Sequence, residues 1–184
     1  MDGCTWCLCN EKMKKYHDEE WGRLVTDDRL LFEFLTLESA QAGLSWITIL
    51  RKRERYRKAF YDFDVNKVAQ MTEQDVERLM QDEGIVRNRL KIKSAISNAK
   101  LFIAIQKEFG SFYNYTLSFF PEQKPISYQP KTLKDIQAST PESDAMSKDM
   151  KKRGFKFFGS TICYAYLQAT GFVNDHLVNC ICRK

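Results

Sequence analysis

The sequence predicts an all-α fold, and three observations carry that expectation. Apolar residues recur at helical spacing along most of the 184 residues. All four prolines lie between Pro121 and Pro141, which leaves the rest of the chain free of helix breakers. Strand-like alternation is nearly absent, because Phe155-Lys156-Phe157-Phe158 is too short to count. Hydrophobic residues make up 43% and aromatics 13% of the chain, more apolar material than a disordered chain carries. One packed domain over residues 1–184, with roughly eight to ten helices, is the expected architecture.

The elements follow in order. Leu31, Phe34, Leu35 and Ala42 share helical spacing and place a helix from Leu30 to Ala42. Ser45 to Leu50 opens a second helix that continues into a basic run. Asp64 can cap a short segment from Val65 to Met71. Thr72 and Asp75 resemble a capping box, and that helix runs to about Asp82 before stopping near Gly84. A long helix follows from about Arg87 to Glu108, with Ile92, Ala95, Ile96, Ala99, Phe102 and Ile103 inward and Gly110 at its end. Pro121 to Pro141 reads as a long loop. Ser143 can cap a helix ending at Gly154, and Thr161 to Ala169 forms the last helix before Gly171.

Function classes narrow next. No run of about eighteen apolar residues exists, so no membrane span is expected. Met1 to Trp6 lacks the basic start and apolar run of a signal peptide, which predicts a reducing, cytoplasmic setting and unpaired cysteines. The net charge of +5 is a mild bias, but it is locally concentrated. Arg51-Lys52-Arg53-Glu54-Arg55-Tyr56-Arg57-Lys58, the alternating Arg87, Arg89, Lys91 and Lys93, and Lys151-Lys152-Arg153-Gly154-Phe155-Lys156 form three basic clusters. Together they could follow a phosphate backbone, or each could be the solvated face of a helix.

Three constellations bear on chemistry. The first is at the chain ends, where five of the six cysteines and both histidines gather. Cys4, His17, His176 and Cys180 would make a closed Cys2His2 set suited to structural zinc, with His176 and Cys180 presented by one helical turn. Cys7, Cys9 and Cys182 are rival ligands, and free thiols with ordinarily hydrogen-bonded histidines are the plain alternative. The second is Asp82 to Arg89, a Gly84-containing turn between helices. Its backbone N–H groups, with Arg87 nearby, could receive a DNA phosphate, although an ordinary αα-hairpin has the same signature. The third is Glu38, a carboxylate on the apolar stripe of its helix. With Tyr16 and Trp46 as neighbours it could line a pocket for a flat, cationic heterocycle that stacks on the indole. The alternative is a structural salt bridge.

Four stretches then act together: Tyr16-His17-Asp18-Glu19-Glu20-Trp21-Gly22; Leu37-Glu38 with Gln41-Ala42-Gly43-Leu44-Ser45-Trp46-Ile47-Thr48; Lys151 to Phe157; and Asn174-Asp175-His176 with Cys180. Along nearly the whole chain they resemble the bacterial 3-methyladenine DNA glycosylase I family. The resemblance implies a helix-hairpin-helix glycosylase fold, with that motif at about residues 72–108. It implies one structural zinc ion (Zn2+) per chain on Cys4, His17, His176 and Cys180, within residues 4–17 and 176–180. It implies a monomer that acts on double-stranded DNA containing 3-methyladenine, flipping out the nucleotide and hydrolysing its N-glycosidic bond to leave an abasic site. Tyr16, Glu38 and Trp46 would form the base pocket, with Trp6 closing it and Glu38 the catalytic candidate. Gly43 and Leu44 would probe the gap in the duplex. Position 13 is Met, where relatives often carry an aromatic, and from Leu101 to Ser111 only Glu108 offers a carboxylate. The rivals are a catalytically silent binder of alkylated DNA with the same fold, and a zinc-stabilised protein-interaction domain.

Overall fold

The structure, a computed structural model, describes residues 3–183. Nine α-helices account for most of the described chain. A 3-10 turn at Thr5–Cys9 leads into α1 (Glu11–Glu19), whose cap Asn10 accepts a hydrogen bond from Met13 N. Asp27 caps α2 (Asp28–Gln41) by accepting from Leu30 N, and α3 (Trp46–Ala59) follows. Asp64 caps α4 (Val65–Ala69) as expected, accepting from Asn66 N and Lys67 N. The expected capping box opens α5 (Glu73–Met80), with Thr72 N donating to Asp75 at 2.8 Å. After a turn, Asn88 caps α6 (Arg89–Phe109) by accepting from Lys91 N, and Gly110 ends that helix at φ +82°.

The structure departs from the sequence reading in several places, beginning with α1, which the sequence reading does not place. A short helix, α7 (Phe112–Leu117), follows Ser111, which caps it. The helix before Gly154 is α8 (Pro141–Arg153), and Thr140 is its cap, with Ser143 as the reciprocal partner whose hydroxyl accepts from Thr140 N at 2.9 Å. Proline at the first helical position suits that start, since its missing N–H would be unpaired there anyway. The proline-rich stretch is not featureless. Its Ile126–Ser127 (β1) pairs in parallel with Val173–Asn174 (β2), beyond α9 (Ser160–Ala169). Ile126 N donates to Phe172 O at 2.9 Å and Tyr128 N to Asn174 O at 3.1 Å, which pins the loop beside the segment leading to His176.

A further departure is α2. Every residue from Leu31 to Ala40 is buried. Rather than presenting one apolar stripe, α2 packs against α3, α6, α7 and α9 at once. Its carboxylates therefore lie inside the protein. Glu33 is held by Arg53 of α3 at 2.5 Å, and Arg53 also reaches Glu20 at 2.7 Å, which joins α1, α2 and α3 through ion pairs. Buried apolar side chains otherwise form one continuous cluster around α2 and α6, with Phe32, Phe102 and Phe112 in edge or face contact. Lys91 of α6 closes the end of α2. Its Nζ donates to Ala40 O at 2.8 Å and Ala42 O at 2.6 Å, two carbonyls that a helix C-terminus leaves without intrahelical partners.

Candidate active site and metal cluster

The C-terminal half of α2 and the start of α3 face α1 across a cavity of about 290 Å³. Trp6, Met13, Tyr16, Trp21, Glu38, Gln41, Trp46, Ile136, Ala165 and Gln168 line it. The walls are mostly aromatic. Tyr16 and Trp46 lie 5.5 Å apart between ring centroids, and Trp6 stands 5.1 Å from Trp21 in an edge contact. Tyr16, Glu38, Trp46 and Trp6, singled out from the sequence, thus share one cavity. Met13, at the position noted as unusual, is in the wall too.

Gln41 and Gln168 in this wall are hydrogen-bonded, to Leu44 O and Asp175, but other polar groups of the cavity are not. Glu38 is 3% exposed, and its carboxyl makes no hydrogen bond or ion pair among the described residues. Burial alone pushes it up to about 8, so it is mostly protonated at neutral pH. The salt-bridge alternative for Glu38 is therefore excluded among the described residues. The Tyr16 hydroxyl is raised further above its usual range by burial and by Glu38. Trp46 Nε1 is a buried donor without a partner among the described residues. Unpaired buried groups cost stability, and a cavity that keeps several of them is suited to a ligand that completes them.

Behind Trp6 and Trp21 lies the second constellation. Cys4, His17, His176 and Cys180 are all buried, and their donor atoms lie within 4.8 Å of one another. Cys180 Sγ is 3.5 Å from both His17 Nε2 and His176 Nδ1, and Cys4 Sγ is 3.8 Å from His176 Nδ1. A tetrahedral ion with bonds of about 2.3 Å to sulfur and about 2.0 Å to nitrogen would set its ligands about 3.3–3.8 Å apart, so these edges fit. The outer nitrogens are oriented as metal-binding imidazoles require: His17 Nδ1 meets Asp18 at 2.8 Å, and His176 Nε2 meets Trp21 O at 2.9 Å. Burial keeps His176 neutral, as a ligand must be, and lifts the Cys4 thiol to about 12, so only a nearby cation would hold it as thiolate. Cys7 donates instead to Cys4 O at 2.9 Å, Cys182 faces Asp18, and Cys9 is exposed; none joins the four, and all six cysteines are free thiols. His176 and Cys180 are presented by a turn closed by Cys180 N to Leu177 O, not by the helical turn that their spacing suggested.

The predicted DNA-facing residues divide. Gly43 (φ +79°) and Leu44, 39% exposed, form a protruding turn at the end of α2, beside the cavity residue Gln41. Gly84 does lie in the α5–α6 turn, but a Cβ there would sit 2.1 Å from Arg55 Cγ, so the glycine is required by the close approach of α3. Arg87 is exposed, with Glu83 at 3.6 Å. The first two basic clusters are largely occupied inside the protein. Arg53 and Arg57 hold Glu33, Arg55 holds Asp82, Arg89 holds Glu77, and Lys93 holds Glu73. Glu108 is spent on Arg153 at 2.6 Å, away from the cavity. The sequence reading missed Ile136, Ala165 and Gln168 as cavity residues. Only the pinned loop and the C-terminal half of α9 bring them there, and no local motif marks them.

Comparison with known proteins gives the family. Residues 6–184 match the methyladenine glycosylase family. The chain is 50% identical over 182 residues to DNA-3-methyladenine glycosylase 1 of Escherichia coli (strain K12), a match covering 99% of this chain and 97% of that protein. It is 44% identical over 180 residues to the DNA-3-methyladenine glycosylase of Haemophilus influenzae, covering 98% and 97% respectively. A solved structure concerning 3-methyladenine recognition by 3-methyladenine DNA glycosylase I of Staphylococcus aureus superposes with a TM-score of 0.95 at 38% identity, covering 100% of this chain and 97% of that one.

Proposed function

The chain belongs to the methyladenine glycosylase family, and we propose that its cavity holds a 3-methyladenine turned out of duplex DNA while the N-glycosidic bond is hydrolysed. The activity is that of a DNA-3-methyladenine glycosylase. One observation carries the reading of the site: an unpartnered, buried acid, Glu38, shares an aromatic cavity with the unpaired Trp46 indole N–H.

The chemistry follows from charge. In DNA, 3-methyladenine is a cation and already a good leaving group, so little acid catalysis is needed. Its ring lies against Trp46 and Tyr16, where indole and phenol faces favour a positive heterocycle. As the ring enters, the Glu38 carboxyl releases its proton to solvent and ionises against the positive charge, accepting N–H bonds from the base. Neutral adenine brings no charge to offset the cost of a buried carboxylate, so Glu38 discriminates the lesion from the normal base. Trp6 closes the cavity, and Leu44, carried by Gly43, occupies the space left in the duplex. The bond breaks with its electron pair passing to the base, and water adds to the sugar carbon. Only Glu38 offers a carboxylate among the residues lining the cavity.

Helices α5 and α6 with the Gly84 turn form the helix-hairpin-helix element of a single domain, with Arg87 beside the phosphates. The four-residue cluster holds one structural zinc ion, which supplies cross-linking of the chain ends and no chemistry to the base; softness and tetrahedral spacing of two thiolates and two imidazoles favour zinc. The test is release of free base from methylated duplex DNA. The expected product is 3-methyladenine with an abasic strand. A protein that binds methylated duplex yet releases no base would instead be the silent binder.

A further inference from the structure

We propose that Phe157 makes a second apolar contact with the DNA, alongside Leu44, and that the strained turn carrying it is part of the substrate-binding surface. The inference rests on the reading of the cavity as a base pocket serving duplex DNA.

Phe157 has φ +54°. A bulky side chain adopts that left-handed conformation only where its surroundings impose it, and such strain gathers at functional positions. Here the surroundings do impose it. Asn98 of α6, 1% exposed, donates from Nδ2 to Lys156 O at 3.1 Å and accepts from Lys156 N at 3.0 Å. Both polar ends of a buried side chain thus hold one residue. On the other side, Ser147 donates to Phe158 O at 3.0 Å, and Phe155 and Phe158 are both buried. Phe157 alone is turned outward, 36% exposed. Core packing would select the opposite arrangement, an unstrained backbone with the ring inside.

Charge and position point to the partner. Lys151, Lys152 and Lys156 around this turn are exposed, and none of them is ion-paired among the described residues, unlike most of the other two basic clusters. An exposed aromatic among free lysines suits a nucleic-acid strand, where rings stack and ammonium groups meet phosphates. Helix α6 sets the distance. Lys91 and Asn98 are seven residues apart, so they share a face about 10 Å apart along the axis. Lys91 holds the end of α2 that carries Gly43 and Leu44, and Asn98 holds the turn that carries Phe157. One helix face therefore anchors both segments that carry a protruding apolar residue, at points about 10 Å apart.

The test uses fluorescence anisotropy with a duplex containing a tetrahydrofuran abasic-site analogue. Phe157→Ala should bind it at least about fivefold more weakly, while quenching of tryptophan fluorescence by free 3-methyladenine stays at the wild-type value. Phe157→Gly relieves the backbone strain, so its melting temperature should equal or exceed wild type while its duplex affinity falls as in Phe157→Ala. The salt dependence of binding should keep its slope in both variants, whereas Lys152→Ala should lose about one unit of slope. Wild-type duplex affinity in both Phe157 variants would overturn the proposal. So would a parallel loss of free-base affinity, which would make Phe157 a packing residue. Failure of the wild-type protein to release base from methylated duplex is a separate readout, and it would overturn the underlying reading instead.

Discussion

At the scale of single residues, Glu38 makes a prediction with a definite sign. Its ordinary value of 4.5 rises to about 8 in the folded protein. Between those two values the folded chain keeps a proton that the unfolded chain has released, so stability falls as pH rises, by about 1.4 kcal/mol per unit. Glu38→Gln has no such proton. Urea titrations from pH 5 to pH 8 should therefore show the variant gaining steadily on wild type, and curves that stay parallel would mean the Glu38 carboxyl is already solvated. The same variant should lose most base excision, because a neutral amide cannot offset the positive ring. The residue types of this site were readable before the fold. An acid among apolar neighbours stands out in a sequence, and so do paired aromatics. That Glu38 is unpartnered was not readable, because hydrogen-bond accounting depends on every element packed around α2.

At the scale of elements, caps and periodicity located most helices, since Asp64 and Thr72 at the starts of α4 and α5 bond the backbone locally. Long-range contacts hid the rest. The two-residue strands β1 and β2 have no pattern to detect, yet their pairing pins the loop carrying Ile136. Lys91 is the clearest case. In sequence it is one of four alternating cations, and in the structure it is a half-buried bridge from α6 to the last carbonyls of α2. Burial lowers its affinity for the proton, a cost that the two carbonyls offset. Lys91→Met should cost about 1–3 kcal/mol in chemical denaturation. It should lower excision from duplex DNA more than it lowers free-base affinity, because the end of α2 also carries the Gly43–Leu44 turn. Lys91→Arg, which keeps a donor, should recover part of the loss. Equal loss in both measurements would reduce Lys91 to a general stabiliser.

At the scale of the whole molecule, the two constellations read from opposite ends of the chain share a wall. Trp6 lines the cavity and stands 5.4 Å from the His17 ring, while Trp21 lies between the cavity and His176, with ring centroids 4.7 Å apart. Trp6 belongs to the 3-10 turn that follows Cys4, so the cluster adjoins a segment that lines the cavity. The helical body does not depend on that cluster in the same way, because its core is the apolar packing around α2 and α6. Removing the proposed zinc should then act unevenly. Chelation, or Cys180→Ser, should lower stability on the order of 3 kcal/mol, the amount by which a ligand at about a hundred times its dissociation constant stabilises a fold. Helical circular dichroism should nearly persist, while tryptophan fluorescence shifts and affinity for 3-methyladenine drops. Re-addition of zinc to the chelated protein should restore both, whereas the serine variant should not recover. Unchanged base affinity after complete metal removal would show that the cluster holds the termini without shaping the pocket, and would leave Trp6 positioned by its contacts with Tyr16 and Trp21 alone.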